Sequence, residues 1–343
     1  MAAAIVAQSL TNVRREIWIV LDTGTLNAKL GPGATPPTDR TATDYTDHTD
    51  GQNASDLCFP CFPWLVLSVA RRVIRGRPWH NGRAVAAIRT INVTRYVTPL
   101  REGGSLPAIV EADDDGLYVL KFRGAGQGAR ALVAELVSGE IARALGLAVP
   151  EIVFANLDPD LARTEPDPEI HALIHDSGGL NLALDFLPGS VTFDPVVQQV
   201  APDLASRIVW FDALVTNVDR TARNTNMLMW HGRLWLIDHG ATLYFHHSPG
   251  WERDSARARA AFPAIKDHVL RTWARRMHDI DGDLACLLGA DVIAGILDQV
   301  PDDWLRGDTG EAVPAETRTA YMKFLRDRLD APRPFLEEPA RAC

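Results

Sequence analysis

Asn217-Val-Asp219-Arg-Thr-Ala-Arg-Asn224-Thr-Asn-Met-Leu-Met-Trp230 runs into the turn His231-Gly232-Arg233 and returns as Leu-Trp-Leu-Ile-Asp238-His-Gly240. The pattern is an aspartate, four residues, an asparagine, and two short apolar runs of which the second ends on an aspartate. If the chain folds back about Gly232, Asn226 lies opposite Asp238, and Asn224 sits just beyond the same open end. A carboxylate and an amide oxygen then converge, and hard oxygens of this kind suit Mg²⁺. Asp219 stands at the entry to the loop, where a carboxylate can orient or deprotonate a hydroxyl. Each acidic residue alone reads equally well as a capped turn or a solvated charge. Their order, with an apolar hairpin between them, makes a shared site the stronger reading.

Upstream of this stretch the pattern is strand-rich. Residues 91–97 alternate as a strand does. Residues 107–112 and 116–122 read as two more, joined by the turn Asp113-Asp114-Asp115-Gly116. Residues 130–146 read as a helix closed by Gly146. Residues 150–157, 170–175 and 180–186 read as strands, the last stopped by Pro188-Gly189. Beyond that breaker the period changes. Leu204, Ile208, Phe211 and Val215 share one helical face. From residue 256 onward helix predominates, including 265–278, 291–299 and 314–329. The class is therefore α+β, with a small strand-rich lobe over 89–187 and a larger helical lobe over 188–335. Ligands prefer the cleft between two such lobes.

Two residues of the first lobe carry charge where charge is costly. Lys121 ends the strand Leu117-Tyr-Val-Leu-Lys121, on the face it shares with Leu117 and Val119. Alone it reads as a lysine snorkelling at a strand end. Glu135 changes that reading. Its helical neighbours are Ala131, Leu132, Ser138 and Gly139, a small apolar face that should pack inward. A buried carboxylate needs a partner, and Lys121 on the preceding strand is the available cation. Glu140 is the rival, but Arg143 three residues on is expected to satisfy it at the surface.

The chain has 343 residues, 46% of them hydrophobic and 23% charged, ordinary for a globular protein. A net charge of -9 argues against a general nucleic-acid binder. Four cysteines are too few for a disulfide scaffold, and a reducing cytoplasm is the expected compartment. Cys58-Phe-Pro-Cys61 has metal-site spacing, but no second pair follows, so unpaired thiols are expected. No run approaches the length of a membrane span, and no secretory signal is evident at the start. The adjacent His246-His247 project differently and are expected to serve a loop. Residues 1–88 differ from the rest: a polar segment rich in Thr, Asp, Gly and Pro precedes an arginine-rich piece. They read as a disordered extension, or as a start assigned too far upstream.

The spacing from Asp219 to Asn224 resembles the catalytic loop of the protein-kinase superfamily, and Asp238-His239-Gly240 resembles its metal-binding Asp-Phe-Gly element. More closely, the chain resembles the bacterial HipA-like kinases. The likeness covers about residues 90–335. It includes Gln127-Gly-Ala-Arg-Ala-Leu-Val-Ala-Glu135, Ala148-Val-Pro-Glu151, Leu184-Asp-Phe-Leu-Pro-Gly189, Phe262-Pro-Ala-Ile-Lys-Asp-His-Val-Leu270 and Val300-Pro-Asp-Asp-Trp-Leu305. The resemblance implies a two-lobed protein-kinase-like fold and transfer of the γ-phosphoryl group of Mg·ATP to a hydroxyl, with protein Ser/Thr as the first expectation for the acceptor. It implies that Lys121 holds the α/β-phosphates and pairs with Glu135, that Asp219 is the catalytic base, and that Asn224 and Asp238 hold Mg²⁺. The backbone at Asp185, Phe186 and Leu187 would meet adenine, and Gly103-Gly104-Ser105 would cover the phosphates. A nucleotide-binding pseudokinase that serves as a partner-binding module is the alternative, and an antitoxin-like partner a further expectation. The sequence departs from ordinary protein kinases in its short glycine loop, in His239 where phenylalanine is usual, and in lacking an Ala-Pro-Glu ending.

Overall fold

The computed structural model describes residues 86–100, 106–307, 310 and 312–337. Cys58, Cys61, Gly103, Gly104 and Ser105 lie outside the described residues, as does the expected 1–88 extension apart from 86–88.

Five strands close into a barrel: β1 (Thr90–Pro99), β2 (Ala108–Ala112), β3 (Leu117–Lys121), β4 (Ile152–Leu157) and β5 (Gly179–Asp185). Their order is β1-β2-β3-β5-β4, and β1 runs parallel to β4 while the other pairs are antiparallel. Ile91, Val110, Tyr118, Leu120, Val153 and Ala183 are buried together inside it. Alternation along β3 sends Tyr118 and Leu120 inward. Lys121 is thereby left on the opposite face.

Helix α1 (Ala129–Ala144) follows β3. Its residues from Leu132 to Ala142 are all buried, so it is covered on every side rather than lying on the surface. Gly139 permits this: a Cβ there would stand 2.5 Å from Ile152 Cδ1 of β4. The helix ends at Gly146 with φ +76°, the left-handed conformation that closes helices.

The stretch 170–175, read above as a strand, is helical: α2 spans Pro168–Asp176. Asp167 caps it by accepting from Glu169 N, and Pro168 occupies the first turn, where its missing N–H costs nothing. Ile170 and Ile174, four apart, are its buried residues. A start signal and a helical period outweighed the β-branched composition.

The second lobe is built on α3 (Pro202–Leu214), α4 (Met277–Leu287), α5 (Ala290–Leu297) and α6 (Pro314–Leu329). Trp210, Phe211, Trp304 and Phe335 are nearly inaccessible within it. The continuous helix expected over 265–278 is not formed. Two short 3₁₀ turns, Pro263–Asp267 and Arg271–Trp273, stand there instead. Between them the backbone is pulled out of helix by the loop at 217–224: Val269 N donates to Arg220 O at 3.1 Å, and Thr221 and His268 form a β-bridge.

A three-stranded sheet, β6 (Val191–Thr192), β7 (Met227–Trp230) and β8 (Arg233–Leu236), carries the hairpin. Its register differs by one residue from a fold about Gly232. Met227 pairs with Leu236 and Trp230 with Arg233. The turn is therefore two residues, His231 (φ +47°) and Gly232 (φ +70°), both left-handed as tight hairpins of the primed types demand. Asn226 consequently faces Ile237, whose N–H donates to its carbonyl at 3.0 Å, and not Asp238. No described helix is long and apolar enough to cross a membrane.

Candidate active site

Lys121 reaches from strand β3 to the end of the hairpin. Its Nζ lies 2.7 Å from Asp238 Oδ1 and 3.6 Å from Glu135 Oε2. The sequence paired it with Glu135; the structure adds Asp238 as the nearer partner. Strand β3, helix α1 and the end of the hairpin thus place a cation and two carboxylates in one cluster. Burial opposes the lysine's charge, but Asp238 and Glu135 together outweigh it and raise its pKa. Burial likewise pushes the Glu135 carboxyl up, yet Lys121 and the hydrogen bonds from His239 hold it down to about 2. Glu140, expected to be satisfied at the surface, is instead buried, with Arg143 Nε 3.5 Å away. Burial raises its pKa, against the pull of Arg143.

Asp219 sits half-buried at the loop entry. Its Oδ2 accepts from Asn224 Nδ2 at 2.8 Å and from Asn226 Nδ2 at 3.1 Å. Its own N–H donates to Asn217 Oδ1 at 3.0 Å. Thr221 N closes the loop by donating to Asp219 O and Asn224 O. The structure therefore brings Asp219 and Asn224 into direct contact.

Beneath this loop lies a charge that the sequence reading missed. Asp212 of α3 is wholly buried. Its Oδ2 accepts from Arg220 Nε at 2.7 Å and lies 2.8 Å from His268 Nε2, while its Oδ1 accepts from Asn217 Nδ2 at 2.7 Å. Arg220 in turn donates to the carbonyl of Asn226. One carboxylate thus ties both flanks of the loop and the 262–270 segment together. A signal existed: Ile208-Val-Trp-Phe-Asp212-Ala-Leu-Val215 holds a lone carboxylate in an apolar run, and such a charge needs a partner. No comparable signal marked His268. Burial pushes the Asp212 carboxyl up, but Arg220 and His268 prevail and bring it to about 2.

These depressed values have a signed consequence. Both carboxyls bind protons more weakly folded than unfolded, where such groups titrate near 4. Their stabilisation is complete above about pH 5 and is lost as pH falls towards about 2. The urea midpoint is therefore expected to fall steadily between those limits. A midpoint flat down to pH 3 would show that neither carboxylate is held as described.

The backbone is strained around the same residues. Thr216 (φ +54°), Asn226 (φ +47°), Asp238 (φ +54°) and Leu243 (φ +50°) are all left-handed without being glycine. Each costs on the order of 1–3 kcal/mol and persists only where the surroundings dictate it. Here Leu243 N donates to Val215 O at 2.7 Å, holding the strained positions 216 and 243 beside each other.

The backbone at Asp185 and Phe186 and the glycine-rich turn over 124–128 after Lys121 are likewise fixed. Asp185 N donates to Glu151 O, and Phe186 N to Leu117 O. Gly124 N donates to Ser177 Oγ and Gly128 N to Ala125 O, so the glycine-rich turn is held against the barrel's end.

Asn224 and Asp238 each carry an oxygen of the hard kind that suits Mg²⁺. Asn224 donates through Nδ2 and keeps its amide oxygen as an acceptor. Asp238 gives one oxygen to Lys121, and its side chain remains 40% exposed, leaving the second oxygen for a ligand. Among the described residues, no group of three or more His, Cys, Asp or Glu could hold a metal ion. His246 is buried and pairs its Nδ1 with Tyr321 Oη at 2.8 Å, a packing role.

The model of a family described as HipA-like kinase matches residues 93–333. Among solved structures, the chain is similar to the Helicobacter pylori proinflammatory kinase CtkA, at 14% identity and a TM-score of 0.46, over 74% of this chain and 97% of that one. It is also similar to the Golgi casein kinase with Mn/ADP bound, at 10% identity and a TM-score of 0.41, over 74% of each chain. No curated protein matches.

Proposed function

The chain belongs to the HipA-like kinase family, and from that premise we propose that it transfers the γ-phosphoryl group of Mg·ATP to a hydroxyl, with a protein serine or threonine as acceptor. The observation that carries the reading is the cluster of Lys121, Glu135 and Asp238, assembled from both lobes with Lys121 Nζ 2.7 Å from Asp238.

In this reading residues 89–187 and 188–335 are the two lobes, and residues 1–88 are dispensable for nucleotide binding. Lys121 binds the α/β-phosphates, and Glu135 fixes its direction. Asn224 and Asp238 would hold Mg²⁺, which supplies positive charge against the phosphate oxygens as negative charge develops there. Asp219 orients the acceptor hydroxyl and takes its proton at Oδ1 or Oδ2. With the amides of Asp185 and Phe186 already engaged, the backbone over 185–187 would meet adenine with the Leu187 N–H as its donor. Gly103, Gly104 and Ser105 would cover the phosphates. Transfer needs positioning and electrostatics rather than covalent catalysis by the protein, and a cleft of pre-placed charges supplies that.

Thermal unfolding with ATP, with and without Mg²⁺, tests the assignment. Saturating nucleotide at about 100 times its Kd adds about 2.7 kcal/mol of stability. Wild type is expected to gain a Mg²⁺-dependent rise in Tm, and Asp238→Asn to lose most of the part that depends on Mg²⁺. An equal rise in the two proteins would remove Asp238 from the metal site. Binding without any turnover would favour a partner-binding module in place of a kinase.

A further inference from the structure

We propose that His239 is a positioning residue: by binding Glu135 it fastens α1 to the Asp238-His239-Gly240 turn, so that helix and metal-binding turn move as one body. The role rests on the kinase reading above, because it acts through Asp238 and Glu135.

Both oxygens of Glu135 are held by residue 239. The His239 N–H donates to Oε2 at 3.0 Å, and the imidazole Nδ1 lies 3.2 Å from Oε1. Lys121 is farther, at 3.6 Å. The direction of the helix carboxylate is therefore set from the second lobe first and from the lysine second. For Nδ1 to donate to a carboxylate, Nδ1 must carry the proton.

The identity of the side chain has a physical reason. The ring packs edge-on to Phe211 of α3 at 5.8 Å between centroids, a contact that phenylalanine would make as well. His239 is fully buried, and its Nε2 has no partner among the described residues. An orphan buried nitrogen costs about 1–3 kcal/mol. An imidazole with that penalty is explained by what its other nitrogen does, and that nitrogen faces Glu135.

A second fastening lies one helical turn along. Thr242 Oγ1 is 2.6 Å from Ser138 Oγ and donates to His239 O at 2.7 Å. Glu135 and Ser138 are three residues apart on one face of α1, and both are buried, as are His239 and Thr242. Swinging α1 outward would strip partners from all four groups at once. The cluster is thus assembled by fixed polar contacts between α1 and the 239–242 segment.

The test compares His239→Phe, which keeps the ring and removes the donor, with His239→Asn, whose amide N–H can take the place of Nδ1–H. The readouts are the free Mg²⁺ needed for half-maximal ATP turnover, kcat, and Tm. Loss of a residue that orients a metal ligand changes metal affinity or activity by about 10–100-fold. His239→Phe is expected to raise the Mg²⁺ requirement or lower kcat by that factor, and His239→Asn to stay within about threefold of wild type. Should the phenylalanine variant not fold, His239→Gln moves the donor to the Nε2 position, away from Glu135, and is expected to show the same defect. An active wild type whose Phe or Gln variant keeps its Mg²⁺ requirement and kcat overturns the role of His239 alone. An Asn variant as impaired as Phe, with an equal loss of Tm, also overturns it in favour of a purely structural residue. A wild type that never turns over Mg·ATP overturns the kinase reading and this role with it.

Discussion

Asp219→Asn is expected to fold as wild type does, bind Mg·ATP, and lose phosphoryl transfer by about 10²–10⁴-fold, the usual worth of a positioned acid or base. The substitution is nearly isosteric. In the native loop Asp219 Oδ2 accepts from the amides of Asn224 and Asn226. An amide oxygen at position 219 can accept the same two bonds, so the loop should keep its shape. What disappears is the negative charge that draws the acceptor proton. Single-turnover transfer from ATP, measured beside a binding titration, separates the two effects. A variant with activity within tenfold of wild type would show that Asp219 only shapes the loop. A variant that lost nucleotide binding to the same degree as transfer would make it a binding residue.

Asp212→Ala should be the most damaging change outside the cleft. Removing one member of a buried ion pair strands the other, at a cost of about 3–5 kcal/mol. Arg220 is 1% exposed, and Asp212 accepts from its Nε. Against a total stability of about 5–15 kcal/mol the loss is severe. Urea unfolding at pH 7 measures it directly. The double variant Asp212→Ala/Arg220→Met is expected to recover part of the loss, since no orphan charge remains. If the single and double variants are equally unstable, the pair is not what holds the loop. Asp212→Asn removes the charge but not the volume: its single oxygen can accept from Asn217, or from Arg220 and His268, but not from both sides.

The sequence made the apolar framework legible because period is a strong signal. The strands of the barrel, the helix closed by Gly146 and the helix over 314–329 all follow from alternation, helical spacing and stop residues. It misread 170–175 because Ile-rich composition suggested a strand, where Asp167-Pro168 and the spacing of Ile170 and Ile174 specify a helix. It misread 265–278 because the apolar pattern there fits a helix, but the segment is bound lengthwise to the loop at 220–221. No local rule contains that long-range contact. The hairpin was read one residue out of register because a two-residue turn and a turn centred on Gly232 share the same composition.

In the site itself, spacing brought out Asp219, Asn224 and Asp238, and inward charge brought out Lys121 and Glu135. The supporting residues were harder to see. Asp212 announced itself only as a charge among apolar neighbours. Arg220 lay inside the quoted stretch, yet its partner is on a different helix. His268 and His239 have neutral, common roles in isolation, and their meaning depends on carboxylates distant in sequence. Those carboxylates, Asp212 and Glu135, gather partners from separate elements, and only the folded chain shows which.

Transfer of labelled γ-phosphate is the decisive measurement. Purified wild type is incubated with γ-labelled ATP and Mg²⁺, and label is followed into protein and into free phosphate, with a chelator and Asp238→Asn as controls. The arrangement of Lys121, Glu135, Asp219, Asn224 and Asp238 predicts Mg²⁺-dependent appearance of label in wild type and its loss in both controls. Label that appears equally with the chelator or in Asp238→Asn, or wild type that neither binds nor consumes Mg·ATP, would contradict it.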